Sequence, residues 1–250
     1  PQVHPADAGL EISVENAFAS TAFKRFSDMT DKLKTKYGYL TGDVNWGGVL
    51  NIAMDLRGDQ IMMDLLMSPD VVQKYFNSIA GVIEKFTDQV GAITGTTSVS
   101  VTRTVRHLSR PVFLHSECSH TMVSCDDYEQ FLMPIDAKWS QEKEYFGIHY
   151  CGNDPHRYAE SFKKIPKLDF LDLGWGGDVA YLRKYLPNTF FNIRLSPVEL
   201  VHMSAEEIRD TITKLVAESA DPVLTGVCCI NMDDKVTDDK IDAIFETMDE

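Results

Sequence analysis

The stretch Leu168–Ile193 reads LDFLDLGWGGDVAYLRKYLPNTFFNI. Leu168 to Leu173 is a short apolar run of strand length, closed by Gly174. Val179 to Tyr185 follows as a short helix, and Thr189 to Ile193 as a second strand. Strand, helix and strand in such quick succession form a βαβ unit, so the two strands are expected to pair in parallel.

The same rhythm extends in both directions. Towards the N-terminus, Phe146 to Tyr150 reads as a strand and His156 to Lys164 as its helix. Pro111 to His115 is the strand before that, and Ser124 can cap a helix carrying Tyr128, Phe131 and Leu132. Ser68-Pro69-Asp70 opens a long helix, with proline suited to the first helical position. Val72, Phe76, Ile79, Ile83, Phe86 and Val90 recur there at spacings of three and four, giving it one apolar face. Val14 to Lys36 reads as a helix, and Tyr39 to Asn45 as a strand before the turn at Gly47-Gly48. Towards the C-terminus, Ser204 and Glu207 form a capping box for a helix through Leu215. Val223 to Cys229 is the last strand, and Thr237 opens the last helix.

This gives six strands, each followed by helix, with no repeat, linker or low-complexity tract, and so a single domain over residues 1–250. The expected fold class is α/β, a (β/α)₈ TIM barrel. Such a barrel closes with about eight strands. The six would be strands three to eight, with an N-terminal segment carrying the first two units ahead of Pro1. An open doubly wound sheet is the weaker alternative, because no G-x-G-x-x-G follows any strand.

Composition narrows the function. Acidic residues outnumber basic ones 38 to 24, for a formal charge of −14. A nucleic-acid partner needs clustered cations and is not expected. No apolar run is long enough to span a bilayer, and Pro1 to Leu10 lacks a signal-peptide pattern, so a cytoplasmic location is expected. The five cysteines, Cys118, Cys125, Cys151, Cys228 and Cys229, are odd in number in a large chain, which argues against a disulfide framework.

In a barrel of this kind the reactive groups lie at the C-terminal ends of the strands. His149 and Cys151 are two apart at one such end and would point the same way. A further thiolate from the last strand would complete a borderline-soft set suited to Zn²⁺, with a fourth position open. Cys228 and Cys229 are adjacent, so at most one faces the axis, and the other is expected as a small core residue. His115, Glu117, Cys118 and His120 also carry ligand-type side chains. They are expected to line the pocket or pack in the loop, with a separate metal site the lesser alternative. Glu117 is the acid best placed as a fourth ligand or proton handler. Asp43, Asn45, Asp172 and Asp178 stand at or just past strand ends, where capping a turn or helix is the commoner role. The Trp175-Gly176-Gly177 loop is a tight turn or a platform for a flat ligand.

On these residues the chain resembles the uroporphyrinogen decarboxylase superfamily, and within it the zinc methyltransferase branch. Gly42-Asp43-Val44-Asn45-Trp46-Gly47-Gly48 is similar to the family's glycine-rich loop, and Ser124 to Pro134 to its Ser-x-x-x-Tyr/Phe-x-x-Phe-x-x-Pro stretch. His149-Tyr150-Cys151-Gly152-Asn153 resembles the His-x-Cys-Gly segment. Asn192 to Leu200 departs from the family's Gly-Asn-x-Asp-Pro, reading Asn-Ile-Arg-Leu-Ser-Pro. The resemblance implies a zinc site of His149, Cys151 and Cys228, with Cys229 the alternative to Cys228. It further implies methyl transfer from methylcobalamin or a corrinoid protein to a small thiol, with that corrinoid protein as partner and a homo-oligomer possible. Asp43 and Glu117 are then the candidate catalytic residues, and Asn45, Trp175 and Gly176 the candidate cofactor contacts. A metal-free tetrapyrrole decarboxylase and a non-catalytic corrinoid-binding or partner-binding barrel stay open as alternatives.

Overall fold

The computed structural model describes residues 10–40, 46–95, 108 and 111–249. Its centre is a parallel sheet of five strands: β1 (Phe113–Ser116), β2 (Phe146–Tyr150), β3 (Phe170–Leu173), β4 (Phe190–Arg194) and β5 (Thr225–Cys228). They lie side by side in chain order, each hydrogen-bonded to the next. The five correspond to the five predicted strands from Pro111 onward, with ends shifted by a residue or two. The remaining predicted strand, Tyr39 to Asn45, falls largely outside the described residues.

Among the described residues, twelve α-helices come before, between and after these strands. The predicted helix from Val14 is two, α1 (Val14–Ala19) and α2 (Thr21–Tyr37). Ser20 breaks it by adopting extended backbone and accepting the Phe23 N–H as the cap of the second. Next come α3 (Val49–Arg57), α4 (Gln60–Met67) and the long α5 (Pro69–Thr94). The predicted apolar face of α5 is the buried one, except that Phe86 is half-buried. Helices α3 and α4 were not expected between the Gly47-Gly48 turn and Ser68. After β1, α6 (Cys125–Asp127), capped by Ser124, passes through a π turn at Tyr128–Leu132 into α7 (Met133–Glu142). Beyond β2 lies α8 (Ala159–Phe162), beyond β3 α9 (Val179–Tyr185), and beyond β4 both α10 (Pro197–His202) and α11 (Ala205–Ser219). Ser204 and Glu207 form the predicted capping box of α11. The final helix, Asp238–Asp249, follows β5.

Parallel strands in unbroken chain order, joined by right-handed crossovers, place all crossover helices on one side. No reversal of order occurs among the described strands, so the switch point of a doubly wound sheet is absent from them. The two faces differ accordingly. On the helix side, Phe113 meets Trp139 of α7 edge-on at 5.2 Å, and Ile148, Tyr150, Leu171, Phe191 and Ile193 are buried. Trp139 is fully buried, and its indole N–H donates to Glu84 of α5 at 2.7 Å. Removing such a side chain costs about 3–5 kcal/mol.

On the opposite face, Gly147, Phe170 and Phe190 share a row, with the two rings stacked at 5.7 Å. Two residues further along each strand, the next row on that face is polar: Ser116, His149, Asp172 and Asn192, ending in Gly226. The face thus changes from apolar to polar towards the C-terminal ends of its strands. Among the described residues, no helix is long and apolar enough to cross a membrane.

Candidate metal centre

The polar row supplies the site. His149 is the penultimate residue of β2, and Cys151 follows the strand on the same side. Ser116 pairs with His149 in register, so Cys118, two residues past Ser116, comes level with Cys151. Cys118 opens a 3₁₀ turn, Cys118–Met122, that folds its thiol over the end of β2. The two sulfurs are 2.7 Å apart, and His149 Nε2 is 2.8 Å from Cys151 Sγ. The ligand atoms of Cys118, His149 and Cys151 all lie within 4.8 Å of one another.

Behind them stands a charged support. His149 Nδ1–H donates to Asp172, its register partner on β3, which leaves the Nε2 lone pair facing the sulfurs. Asp172 is fully buried and also receives Arg194 Nη2 at 2.7 Å and the Asn192 amide at 2.9 Å. Burial opposes protonation of His149, but its hydrogen bonds to Asp172 and Cys151 outweigh this and raise its pKa. The hydrogen bond from Cys118 pulls Cys151 down to about 4, against burial and with help from His149, while the Cys118 thiol is pushed up. The sulfur pair therefore shares one proton, with the negative charge resting on Cys151.

The residues present fit a zinc ion. One imidazole and two sulfurs form a borderline-soft donor set, and a carboxylate on the far ring nitrogen is the usual way such a histidine is oriented. Both cysteines are partly exposed, so a fourth position is accessible.

The expected residues are distributed as follows. His149 and Cys151 belong to the cluster. Cys228 stands outside it. Cys228 pairs in register with Arg194, and its sulfur accepts the Asn192 amide at 3.2 Å. It is on the site's face but separated from the cluster by the Arg194 guanidinium, which reaches His149 and Asp172. Cys229 points the other way and packs into the apolar cluster of Leu200, Ile208, Ile212 and Ile244. Glu117 departs from expectation: it turns away from the sulfurs and accepts the N–H groups of Leu50 at 2.7 Å, Asn51 at 3.2 Å and Ser119 at 3.1 Å. It anchors the N-terminus of α3, where a carboxylate meets otherwise unpaired donors. Gly48 is required there, since a Cβ at that position would lie 2.5 Å from the Glu117 carboxylate.

His115 and His120 are buried on the helix side, and Asp178 caps α9 by accepting the Tyr181 N–H. Trp175 and Gly176 line a cavity of about 490 Å³ between the ends of β3 and β4 and helices α9 to α11. None of the three clustered ligands lines that cavity, but Arg194 does. Asp43 and Asn45 lie outside the described residues.

Three members were not anticipated: Cys118 as a partner of Cys151, and Asp172 with Arg194 as the support. Once the strand register is known, Asp172 is signalled as the direct partner of His149, and Cys118 and Arg194 by an offset of two, from Ser116 and from Asn192.

No protein-family model matches this chain, and no curated protein matches it. Among solved structures, it is similar to a methyltransferase from Methanosarcina mazei, with a TM-score of 0.66 and 12% identity. The likeness covers 100% of this chain and 70% of that one. At this identity it concerns the fold alone.

Proposed function

We propose that this chain is a zinc-dependent methyltransferase of the uroporphyrinogen decarboxylase superfamily, moving a methyl group from a corrinoid to a thiol. The observation that carries the reading is the convergence of Cys118, His149 and Cys151 at the C-terminal end of a parallel sheet. Five strands in chain order with helices on one face are what an arc of a (β/α)₈ barrel requires, and such barrels react at that end. The fold likeness to a methyltransferase agrees with it.

Within this reading, His149 and Cys151 hold the ion and Cys118 is the third ligand. Cys228, on the same face, is the alternative third thiolate. A bound zinc lowers the pKa of a coordinated thiol, so that the acceptor is a thiolate at neutral pH. The chain's own residues do the rest. Asp172 fixes the His149 tautomer and ring plane. Arg194 holds Asp172 and places a cation 3.9 Å from Cys151 Sγ, which offsets the negative charge gathered when a further thiolate approaches. Trp175 and Gly176, on a cavity wall shared with Arg194, would flank the corrinoid delivered by its carrier protein.

The test is metal content with turnover. Protein purified without chelator should carry about one zinc per chain and demethylate methylcobalamin in the presence of a thiol such as coenzyme M, followed anaerobically by the cobalt absorbance. Loss of zinc in Cys118→Ala but not Cys228→Ala would establish the ligand set drawn here. The opposite result would restore Cys228. A zinc-loaded protein that demethylates no corrinoid with any thiol would end the methyltransferase reading.

A further inference from the structure

Cys118 and Cys151 are placed to react with each other as well as to hold a metal. Two thiolates on one tetrahedral zinc, each about 2.3 Å from the ion, hold their sulfurs about 3.8 Å apart. A disulfide holds them at about 2.05 Å. The two thiols are in direct contact here, with no side chain between them. The backbone suits the bond as well: Cys118 and Cys151 follow the ends of adjacent parallel strands, level with each other, and neighbouring strands lie about 4.8 Å apart, within the Cα range of disulfides. Both residues are partly exposed, so small reagents can reach them. The other three cysteines are differently engaged: Cys125 donates to the Arg157 carbonyl, Cys228 accepts from Asn192, and Cys229 packs into an apolar cluster.

We propose that Cys118 and Cys151 form a reversible disulfide, and that closing it evicts the metal and switches the site off. The second half rests on the metal-site reading above. The oxidant is a peroxide or a small disulfide. With a peroxide, one thiolate attacks oxygen, the O–O bond breaks, and hydroxide leaves with the electron pair, giving a sulfenic acid. The second thiolate then attacks that sulfur, the S–S bond forms, the S–O bond breaks, and hydroxide leaves. Two thiols and one peroxide become one disulfide and two waters. A disulfide sulfur is no longer an anionic donor, so two of the three ligands are lost together.

The experiment treats zinc-loaded and metal-free full chain with hydrogen peroxide or oxidised glutathione, followed by a non-reducing digest and mass spectrometry. Expected are linked Cys118 and Cys151 peptides, an intact mass lowered by about 2 Da, release of about one zinc per chain in step with the link, and recovery of both after reduction. Cys125→Ser and Cys228→Ser should leave the link unchanged. Cys118→Ser should abolish it and let Cys151 go on to sulfinic acid, about 32 Da heavier. If that variant fails to fold, the wild-type digest decides. Cys151 sulfinic acid in the wild type with no link to Cys118 would overturn the proposal, as would zinc retained after the link has formed. A chain that never binds zinc yet closes the link would sink the methyltransferase reading and the eviction step, and leave the disulfide standing.

Discussion

The ends of β1 and β2 each set a histidine two residues ahead of a possible metal ligand: His115-Ser-Glu117 on one strand, His149-Tyr-Cys151 on the next. In both, the histidine's Nδ1–H donates to a fully buried aspartate, Asp136 at 2.6 Å for His115 and Asp172 for His149. The difference lies at Nε2. In His115 it accepts the backbone N–H of Val49 at 3.2 Å, and Glu117 caps the same helix end. In His149 it faces two sulfurs. His115 pairs with Ile148, whereas His149 pairs with Ser116, so the two imidazoles stand one register step apart and on opposite faces of the sheet. One has its lone pair consumed by folding. The other keeps it for a ligand.

The largest effects follow from placing alanine at either histidine or at Cys151. His149→Ala and Cys151→Ala should each weaken zinc binding by more than about 100-fold, with only a small loss of metal-free stability, because Asp172 keeps Arg194 and Asn192 as partners. His115→Ala should do the reverse. It leaves Asp136 buried without the His115 N–H and the Val49 N–H without an acceptor, each at a cost of about 1–3 kcal/mol. The fraction that stays folded should still bind zinc. Chelator competition and urea denaturation on the three variants check this, and equal loss of zinc affinity from all three would abolish the distinction.

The supporting aspartates sharpen it. Asp172→Asn should lower zinc affinity by about 10–100-fold, because an amide no longer enforces the His149 tautomer. It should cost stability too, since Arg194 is buried with Asp172 as its partner. Asp136→Asn faces His115 and the Tyr128 hydroxyl, which donates at 2.7 Å, and should cost about 1–3 kcal/mol with zinc affinity unchanged. The discriminating measurement is zinc affinity. A change of more than a few-fold in Asp136→Asn would mean that the two supports are coupled.

How much of this is legible in the chain depends on which residues must meet. Strand β2 can be read directly, because Phe146, Ile148 and Tyr150 between turn residues suffice to mark it. The caps at Ser124 and Ser204 are equally local. Helices α3 and α4 are not, because Gly47-Gly48 ahead and Gly58-Asp59 within break the window over which their apolar positions recur. Cys118 is adjacent to Glu117 in sequence and reads as part of one cluster with it. The structure sends the carboxylate to α3 and the thiol to β2, and only the pairing of Ser116 with His149 reveals that. Trp175 shows the converse. Its glycine-rich loop is legible as a wall, but which cavity it walls depends on how α10 and α11 pack.

A third histidine gives the smallest effect and isolates what a partner contributes. His120 is fully buried among Tyr128, Tyr150, Tyr158 and Phe162, and neither ring nitrogen has a hydrogen-bond partner. Burial, with the neighbouring charges of His115 and His149, holds its pKa well below the usual histidine range. In the unfolded chain the ring titrates near 6.5, so below that pH the unfolded state binds the extra proton and the native state is destabilised, by up to about 1.4 kcal/mol per pH unit. Above it the contribution is constant. Phenylalanine would fill the same aromatic box without unpaired nitrogens, so His120→Phe should stabilise by about 1 kcal/mol at pH 7.5. The gap over the wild type should widen by roughly a further 1 kcal/mol at pH 5.5, because the variant has no ring to protonate on unfolding. Urea midpoints of both proteins at the two pH values measure the gap directly, and other titrating groups cancel in the difference. A gap that stays constant would show that His120 takes up its proton in the native state. An imidazole buried without any partner would then not be held neutral, and the contrast between the three rings would rest on hydrogen bonding at His115 and His149 alone.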